Sequence, residues 1–360
     1  MFSIENPIII AGPCSAESEE QVLETAVEIA KCRKVTIFRA GIWKPRTKPG
    51  TFEGVGEIAL PWLKKVKEHT NLKIAVEVAL PEHVEICLKN RDIIDIVWLG
   101  ARTTVNPFSV QAIADVIKGS DIPVMIKNPL NPDIELWAGA IERIKKVGIT
   151  KIAVIHRGFY PFEETHLRNI PKWELAIELK TRYPEIPIIN DPSHISGKKE
   201  FIPEISQKAL NLNFNGLMIE THINPKVALS DAEQQLTPKE LIQLLKNLKF
   251  RKQTSDNSEF LSLIEQYREQ IDSIDYQLLE LLSKRMNIIE NIGKYKLTNN
   301  VTVFQLRRWI KIVETRKEFG KSIGLDTNFV KKILQLVHRE SIRKQTKIMN
   351  GKDVPKNIDT

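Results

Sequence analysis

The feature that most constrains the fold of this 360-residue chain is a regular alternation of short apolar runs with longer amphipathic segments. Eight apolar runs, rich in β-branched residues, occupy 7–11, 35–40, 74–78, 93–99, 124–127, 152–155, 187–189 and 217–219. Near-continuous hydrophobic strands separated by helices indicate a parallel sheet buried on both faces. The number and spacing of these eight units match a (β/α)8 TIM barrel. A doubly wound open sheet is the alternative, but no GxGxxG follows the first run.

The pattern changes near residue 250, where a polar stretch without periodic apolar residues indicates a linker. Beyond it, apolar residues at i, i+3, i+4 and i+7 spacing predict one helix of more than thirty residues, a second over 304–319 and a third that begins after Asp326. We therefore predict a barrel at 1–248, a linker at 249–259, an all-α domain at 260–348 and a disordered tail at 349–360. So small a helical piece is expected to pack against a copy of itself or another domain.

Composition excludes several classes of protein. Neither an 18-residue apolar run nor a basic leader segment is present, and three cysteines cannot build a disulfide framework, so we expect a cytoplasmic protein. The net charge of +8 suggests a polyanionic partner, but from residue 257 onward 19 basic and 13 acidic residues give +6, which leaves only +2 for the first 256 residues. The excess charge therefore belongs mainly to the helical part.

Ionisable or metal-binding residues follow all eight predicted strands, at the barrel face where active sites are built. The positions are GPCS at 12–15, KPRT at 44–47, Glu77, GAR at 100–102, Lys127, HRG at 156–158, DPSH at 191–194 and ETH at 220–222. Such a series favours one active site over eight separate salt bridges or solvated loops. Its cations, Arg39, Lys44, Arg46, Arg102, Lys127 and Arg157, would repel one another unless phosphates or carboxylates were bound between them.

A second group at this face offers metal-ligating atoms. Cys14, His194, Glu220 and Asp231 supply a thiolate, an imidazole and two carboxylates, a set that suits a divalent transition ion with an open coordination position. Buried small hydrophobes are the expectation for Cys32 and Cys87, which lie in the apolar phase of predicted helices. The remaining histidines outside the motifs, His69, His83, His166 and His338, are expected to be structural or on the surface.

The barrel motifs resemble those of a known family. GPCS, FRAGIWKPRT, GAR, the lysine of MIKN, HRG, DPSH, MIETH and ALSDAEQ, in this order, are similar to the short type I-beta class of 3-deoxy-D-arabino-heptulosonate 7-phosphate (DAHP) synthases over about residues 1–245. The sister enzyme that makes the eight-carbon sugar acid has an asparagine-containing motif in place of KPRT. The resemblance therefore implies condensation of phosphoenolpyruvate with erythrose 4-phosphate and water to give DAHP and phosphate.

The resemblance also implies roles for individual residues. Cys14, His194, Glu220 and Asp231 would bind one divalent metal ion per barrel, with Mn²⁺ the expected ion although the set accepts others. Phosphoenolpyruvate would be held by Arg102, Lys127 and Arg157 at its phosphate and by Arg39 and Lys44 at its carboxylate, with Lys44, Lys127 and Glu77 in catalytic roles. Arg46 and Thr47 would bind the phosphate of erythrose 4-phosphate. The stretch GARTTVNPF departs from the family pattern after its arginine, where relatives often lack the proline.

The helical part carries cations among its apolar positions. Arg268, Arg285 and Lys296 are separated by 17 and 11 residues, close to five and three helical turns, so they share one face. A solvated charged face is one interpretation, and an anion pocket within a bundle is the other. The order LIEQYREQIDSIDYQLLELLSKRM, NIGKYK, LRRW and ESIRKQ resembles the all-helical AroQ-class chorismate mutases over about residues 260–347.

This second resemblance implies a chorismate site in a homodimer. Arg268, Arg285 and Arg308 would bind the carboxylates of chorismate, with Arg268 reaching the site of the partner chain. Lys296 and Gln345 would donate to the ether oxygen, where negative charge develops as the bond breaks. Gln305 and Trp309 stand where relatives often have acidic groups that contact the substrate hydroxyl.

The sequence thus predicts a bifunctional shikimate-pathway enzyme whose ligands are small anions. The chain starts at its first strand, without the N-terminal regulatory domain of some relatives, so we expect prephenate or chorismate at the helical domain to inhibit the barrel. An alternative is a helical domain that binds these ligands only for regulation. Nucleic-acid binding by the basic helices is a third hypothesis, disfavoured because no base-reading or stacking element is present, and no membrane partner is expected.

Overall fold

The computed structural model describes residues 7–45, 50–161, 165–251 and 254–351. The chain folds into two compact units, Met1–Gln253 and Thr254–Thr360. None of the helices within the described ranges is both long enough and apolar enough to cross a membrane.

The first unit is a closed barrel of eight parallel strands in which each strand pairs with its neighbours in chain order and β8 pairs with β1. The strands are β1 Ile8–Gly12, β2 Ile37–Ala40, β3 Lys73–Val78, β4 Ile96–Leu99, β5 Val124–Lys127, β6 Ile152–His156, β7 Ile188–Asn190 and β8 Gly216–Glu220. This confirms the predicted TIM barrel and excludes the open sheet, which would leave two unpaired edges.

Helices and short helical turns lie between the strands. The α-helices of this unit are α1 Glu19–Ala30, α2 Leu60–His69, α3 Pro81–Lys89, α4 Ala101–Thr104, α5 Pro107–Ile117, α6 Ile134–Lys146, α7 Trp173–Arg182, α8 Pro192–Ser196, α9 Ile202–Asn211 and α10 Pro238–Asn247. Several begin at a side-chain cap: the side chains of Ser18, Asn106 and Asp133 accept backbone N–H bonds from the first turns of α1, α5 and α6. Such caps satisfy donors that the helix itself leaves unpaired.

The core has two layers, as a barrel buried on both faces requires. A small cluster fills the inside of the barrel, where Ile10, Trp98 and Met218 are fully buried. A larger cluster joins the outward faces of the strands to the surrounding helices. Because strand residues alternate between these layers, each strand is apolar throughout, which explains the continuous apolar runs of the sequence.

The second unit consists of three helices, α11 Ser258–Thr298, α12 Leu306–Ser322 and α13 Thr327–Met349. The predicted cap is confirmed, since the Asp326 side chain accepts from Phe329 N at 2.8 Å. Helix α13 packs against both α11 and α12. Many large apolar side chains of α11 nevertheless remain exposed, among them Ile271, Ile274 and Leu278 at 54–62%. The other two helices of this unit therefore do not cover the apolar stripe of α11.

Candidate active sites

The predicted site residues of the barrel lie together around the C-terminal ends of its strands. They are Cys14 after β1, Arg39 on β2 and Lys44 after it, Glu77 on β3, Arg102 in α4, Lys127 at the end of β5, Arg157 after β6, His194 in α8, Glu220 at the end of β8 and Asp231 in the next loop. Arg46 and Thr47 fall outside the described residues. The unusual stretch after Arg102 folds regularly, because Asn106 caps α5 and Pro107 occupies its first turn, where no N–H is needed.

Three of the four predicted metal ligands form one cluster, and the fourth, His194, lies beside one of them. Cys14, Glu220 and Asp231 each offer a ligand atom within 4.8 Å of the others. The Nε2 atom of His194 lies 3.6 Å from Glu220 Oε1. Sulfur, nitrogen and carboxylate oxygen thus converge from β1, α8 and the loops around β8, a donor set that suits a divalent transition ion.

Each carboxylate ligand divides its two oxygens between the cluster and the surrounding protein. Asp231 Oδ2 accepts from Cys14 Sγ at 3.3 Å, while Oδ1 lies 3.1 Å from Arg168 Nη1. Glu220 Oε2 accepts from Gln234 Nε2 at 2.6 Å. Its buried Oε1 accepts no hydrogen bond within the described part of the chain, although Arg39 Nη2 lies 3.1 Å away. A buried carboxylate oxygen that accepts no hydrogen bond and lies beside a thiol and an imidazole is a favourable place for a cation. The residues present therefore fit a divalent ion.

Asp191 contacts both the imidazole predicted to bind the metal and a lysine predicted to be catalytic. Its Oδ2 lies 2.7 Å from His194 Nδ1 and 2.8 Å from Lys127 Nζ. Burial opposes ionisation of Asp191, but His194 and Lys127 hold the pKa of its carboxyl well below the usual range. The carboxylate therefore stays charged, and it turns Nε2 of His194 toward the cluster.

The Cys14 thiol needs a cation to become a good ligand. Burial raises its pKa to about 12; Glu220 and Asp231 act in the same direction, while Lys44 opposes them. The Lys44 ammonium lies 2.8 Å from Cys14 Sγ and donates to the Cys14 carbonyl at 2.8 Å. A divalent ion would favour the thiolate, so metal binding here would release a proton.

The cations at the mouth are buried to a degree that only bound or neighbouring anions can support. Arg39, Lys44, Lys127 and Arg157 are all at most 9% exposed. Burial lowers the pKa of Arg157 to about 10. Attraction to Asp191 opposes this shift, while repulsion from Arg168 and Arg102 adds to it. A charge so poorly compensated favours a bound anion.

Sequence reasoning missed the residues that hold the ligands in place. They are Asp191, Asn128, Arg168, Asn169 and Gln234, whose side chains contact metal ligands or phosphate-site cations. Asp191 and Asn128 belong to the motifs DPSH and MIKN, so the motifs could have identified both residues as part of the site. Arg168 and Asn169 lie in a loop without periodicity, and only the fold reveals their contacts.

In the helical unit, two predicted residues, Arg285 and Gln345, contact one serine that was not predicted. Arg285 donates to Ser341 Oγ at 2.7 Å, and Gln345 Nε2 donates to the Ser341 carbonyl at 3.2 Å. Gln345 is 5% exposed and its Oε1 has no hydrogen-bond partner within the described residues. Lys296 donates to Val303 O at 2.6 Å. Burial lowers the pKa of both Arg285 and Lys296.

Arg268 and Arg308 do not join this group within one chain. Arg268 contacts Glu265 on its own helix at 3.3 Å and is 68% exposed. Seventeen residues of α-helix separate it from Arg285 by roughly 25 Å, beyond the reach of either side chain. Arg308 is exposed on α12.

An aromatic stack lies beside Arg285 and Lys296. Trp309 stacks on His338 with ring centroids 4.0 Å apart and an interplanar angle of 12°. Burial, aided by the charges of Arg285 and Lys296, lowers the pKa of His338. His338, predicted to be structural or on the surface, packs on Trp309 and lies near the predicted chorismate-binding cations Arg285 and Lys296.

Comparison with known proteins identifies both units. The family model of the DAHP synthetase I family matches residues 4–256, and that of chorismate mutase type II matches residues 267–346. The first match covers well over half of the chain, so the chain belongs to the DAHP synthetase I family. It carries in addition a chorismate mutase type II domain.

Individual relatives agree with this assignment. A phospho-2-dehydro-3-deoxyheptonate aldolase of Thermotoga maritima is 32% identical over 243 residues, which cover 67% of this chain and 69% of the relative. A 2-dehydro-3-deoxyphosphooctonate aldolase of Nitratidesulfovibrio vulgaris is 24% identical, with 67% and 90% covered. The crystal structure of the Thermotoga maritima DAHP synthase superposes with a TM-score of 0.59 at 29% identity and 67% coverage of each chain. A truncated form of the enzyme from the same organism gives a TM-score of 0.57 at 26% identity, with 67% of this chain and 84% of that chain covered.

The chain is therefore a bifunctional shikimate-pathway enzyme that joins a DAHP synthase, a transferase, to a chorismate mutase, an isomerase. Both sequence resemblances are confirmed. Small-molecule anions, rather than nucleic acid, are the ligands that these domains imply.

Replacing Asp191 tests its double contact. Asp191→Asn keeps the side-chain volume but removes the charge that balances Lys127 and orients His194, so we expect kcat/KM for DAHP formation to fall by roughly 10- to 100-fold. Mn²⁺ affinity, measured by titration of the metal-free full-length protein, should fall together with it.

The matched control is Asp95→Asn, which breaks a Lys67–Asp95 pair of similar length, 3.0 Å, away from the mouth. This variant should keep normal kinetics. Normal kinetics and normal Mn²⁺ binding in Asp191→Asn would show that the contacts with Lys127 and His194 are unimportant.

Proposed function

We propose that the barrel condenses phosphoenolpyruvate with erythrose 4-phosphate around one divalent metal ion held by Cys14, His194, Glu220 and Asp231. The observation that carries this proposal is the orientation of the ligands. Asp231 has one oxygen on Arg168 and the other on the Cys14 thiol. Glu220 has one oxygen on Gln234, and its other lies between Arg39 and the Nε2 atom of His194, whose Nδ1 atom faces Asp191. When bound, such an ion supplies Lewis acidity toward the aldehyde oxygen of the second substrate.

The buried cations divide into two groups that suit the two charged ends of phosphoenolpyruvate. Lys127 at the end of β5 and Arg157 just after the neighbouring strand β6 would hold the phosphate with Arg102. Arg39 on β2 and Lys44 in the loop after it would hold the carboxylate. Because these side chains are fixed by buried contacts, little entropy is lost in ordering them when the substrate binds.

The reaction then needs two bond-forming steps. The C3 carbon of phosphoenolpyruvate attacks the aldehyde carbon of erythrose 4-phosphate, which leaves positive charge at C2. The former aldehyde oxygen takes a proton from solvent and becomes a hydroxyl. Water adds to C2 and gives up a proton, and the bond between C2 and the phosphate oxygen then breaks as C2 becomes the ketone carbon, so phosphate leaves. Glu77, half-buried on β3 and electrostatically coupled to Arg39 and Lys44, would orient that water and accept its proton. Arg46 and Thr47 would hold the phosphate of erythrose 4-phosphate.

Metal removal and substrate choice test this proposal together. Phosphate release from phosphoenolpyruvate, measured with erythrose 4-phosphate, should fall at least about 100-fold after chelation and return on addition of Mn²⁺. Arabinose 5-phosphate should support much slower release, because KPRT favours the four-carbon aldehyde.

His166→Ala is the matched control for loss of a histidine near the mouth, since His166 contacts Phe201 rather than the cluster. It should respond to Mn²⁺ as the wild type does, whereas His194→Ala should not recover. Full activity in the chelated enzyme, or equal rates with both aldoses, would contradict the proposal.

We also propose that the helical unit rearranges chorismate to prephenate as a homodimer. Two observations support the dimer: the apolar face of α11 is exposed, and Arg268 is too far from Arg285 to share a pocket with it in one chain. A second copy would cover the apolar face and bring its own Arg268 to the pocket. Arg285, Arg308 and the partner's Arg268 would then bind the two carboxylates.

The chemistry requires only electrostatic help at the ether oxygen. Lys296 and Gln345 would donate to this atom, where negative charge grows as the C–O bond breaks and the new C–C bond forms. Donors fixed in a partly buried pocket stabilise that charge more than they stabilise the substrate. Lys296 now donates to a loop carbonyl, Val303 O. A water molecule could replace the lysine as the donor to this carbonyl, which would leave Lys296 available to the substrate.

Mixed dimers test the shared site. Arg268→Ala and Lys296→Ala should each abolish mutase activity alone, because every site then lacks one group. Co-expressed, the two chains form heterodimers in which one of the two sites is intact, so a random mixture should recover about a quarter of the wild-type rate.

Co-expression of two differently tagged Arg268→Ala chains is the control, and it should recover nothing. Recovery in the control, or none in the mixture, would contradict the dimeric site. If the wild type itself forms no prephenate, the alternative holds: a regulatory chorismate-binding domain whose Trp309–His338 stack has replaced the acidic contacts to substrate.

Feedback inhibition is the third part of the proposal. Prephenate or chorismate bound at the helical unit would inhibit DAHP formation. Arg285→Ala in the full-length chain should raise the inhibitor concentration needed for half-maximal inhibition by at least about tenfold, because a carboxylate of the inhibitor loses its arginine partner. Arg343→Ala, which removes an exposed cation of α13 paired with Glu340, should leave inhibition unchanged. Equal inhibition of all three proteins would place the effector elsewhere.

A further inference from the structure

Two successive residues, Arg168 and Asn169, contact the metal-ligand cluster and the phosphate-site cations from one short segment of the β6–α7 loop. Arg168 Nη1 lies 3.1 Å from Asp231 Oδ1 and donates to Gln234 Oε1 at 2.6 Å. Gln234 in turn donates to Glu220 Oε2 at 2.6 Å. Arg168 thus contacts one predicted metal ligand directly and a second through one buried amide.

Asn169 uses both ends of its amide in the same way. Its Oδ1 accepts from Arg157 Nη1 at 2.8 Å, and its Nδ2 donates to the carbonyl of His194 at 2.6 Å. The side chain is 3% exposed. One buried amide therefore joins the cation expected to hold phosphate to the backbone of a metal ligand.

The backbone of this segment is held as firmly as its side chains. Arg168 N donates to Ser196 O at 3.2 Å, and Asn169 N donates to Ile195 O at 3.1 Å. Two glycines with positive φ make room for it: a Cβ on Gly197 would lie 2.6 Å from Arg168 Cβ, and one on Gly158 would lie 3.0 Å from Asn169 Cβ. These glycines belong to the loops after β7 and β6, so the segment is fixed between the strand ends that carry His194 and Arg157.

We propose that Arg168 and Asn169 are positioning residues that couple metal binding to phosphoenolpyruvate binding. A phosphate on Arg157 holds the Asn169 amide, which holds the His194 carbonyl. A cation at the cluster holds Asp231, which holds Arg168. Since the two residues are adjacent in one short segment, a ligand that limits the movement of one side chain also limits the movement of the other, and each ligand binds more tightly when the other is present. This inference rests on the proposed roles of the metal and of Arg157.

The test measures Mn²⁺ affinity of the metal-free full-length protein, from the electron paramagnetic resonance signal of free Mn²⁺, with and without phosphoenolpyruvate. In the wild type, phosphoenolpyruvate should tighten Mn²⁺ binding by about 5-fold or more. Asn169→Ala should abolish this effect and raise the KM for phosphoenolpyruvate. Arg168→Gln should weaken Mn²⁺ binding by roughly tenfold, because Asp231 loses the partner that orients it.

Arg182→Gln is the matched control, since Arg182 has similar exposure, 36% against 39%, and pairs with two carboxylates away from the mouth. It should keep wild-type affinity and coupling. Coupling that persists in Asn169→Ala, or unchanged or tighter Mn²⁺ binding in Arg168→Gln, would overturn the inference. A wild type that binds neither Mn²⁺ nor phosphoenolpyruvate would instead refute the proposed function.

Discussion

The burial of cations at the barrel mouth is the constraint on which the rest of the site depends. Arg39 and Lys127 are almost fully buried, and each is tolerated because a carboxylate lies about 3 Å away, Glu220 for one and Asp191 for the other. Glu220 is also one of the proposed metal ligands, and Asp191 contacts another, His194. The proposed phosphate site and the proposed metal site therefore share one network of charged side chains.

The fold was predictable because its signals are local and repeated. Eight apolar runs marked the strands, since both faces of a TIM-barrel strand are buried, and the side-chain cap at Asp326 marked the start of α13. Boundaries were less certain: the run over 93–99 contains a strand of only four residues, Ile96–Leu99, because Ile93 and Ile94 belong to the preceding turn. Apolar character alone does not distinguish a buried turn from a buried strand.

Site residues could be predicted from the sequence where an ionisable or metal-binding side chain lies at the end of a strand. They could not be predicted where a long loop returns to the site. Cys14, Lys127 and Glu220 could be found in this way. Arg168 and Asn169 could not, because their partners are set by tertiary contacts of an irregular loop. In the helical unit the stripe of α11 predicted a partner, and the distance between Arg268 and Arg285 gives that expectation a geometric reason.

The central claim is that one metal ion and one phosphoenolpyruvate share the charge network of the barrel mouth. Anomalous X-ray diffraction from crystals of the full-length protein soaked with Mn²⁺ and phosphoenolpyruvate tests it most directly. The account predicts one manganese peak per chain bounded by Cys14, His194, Glu220 and Asp231, with the phosphate on Arg157. A manganese peak elsewhere, or a phosphate away from Arg157, would contradict it.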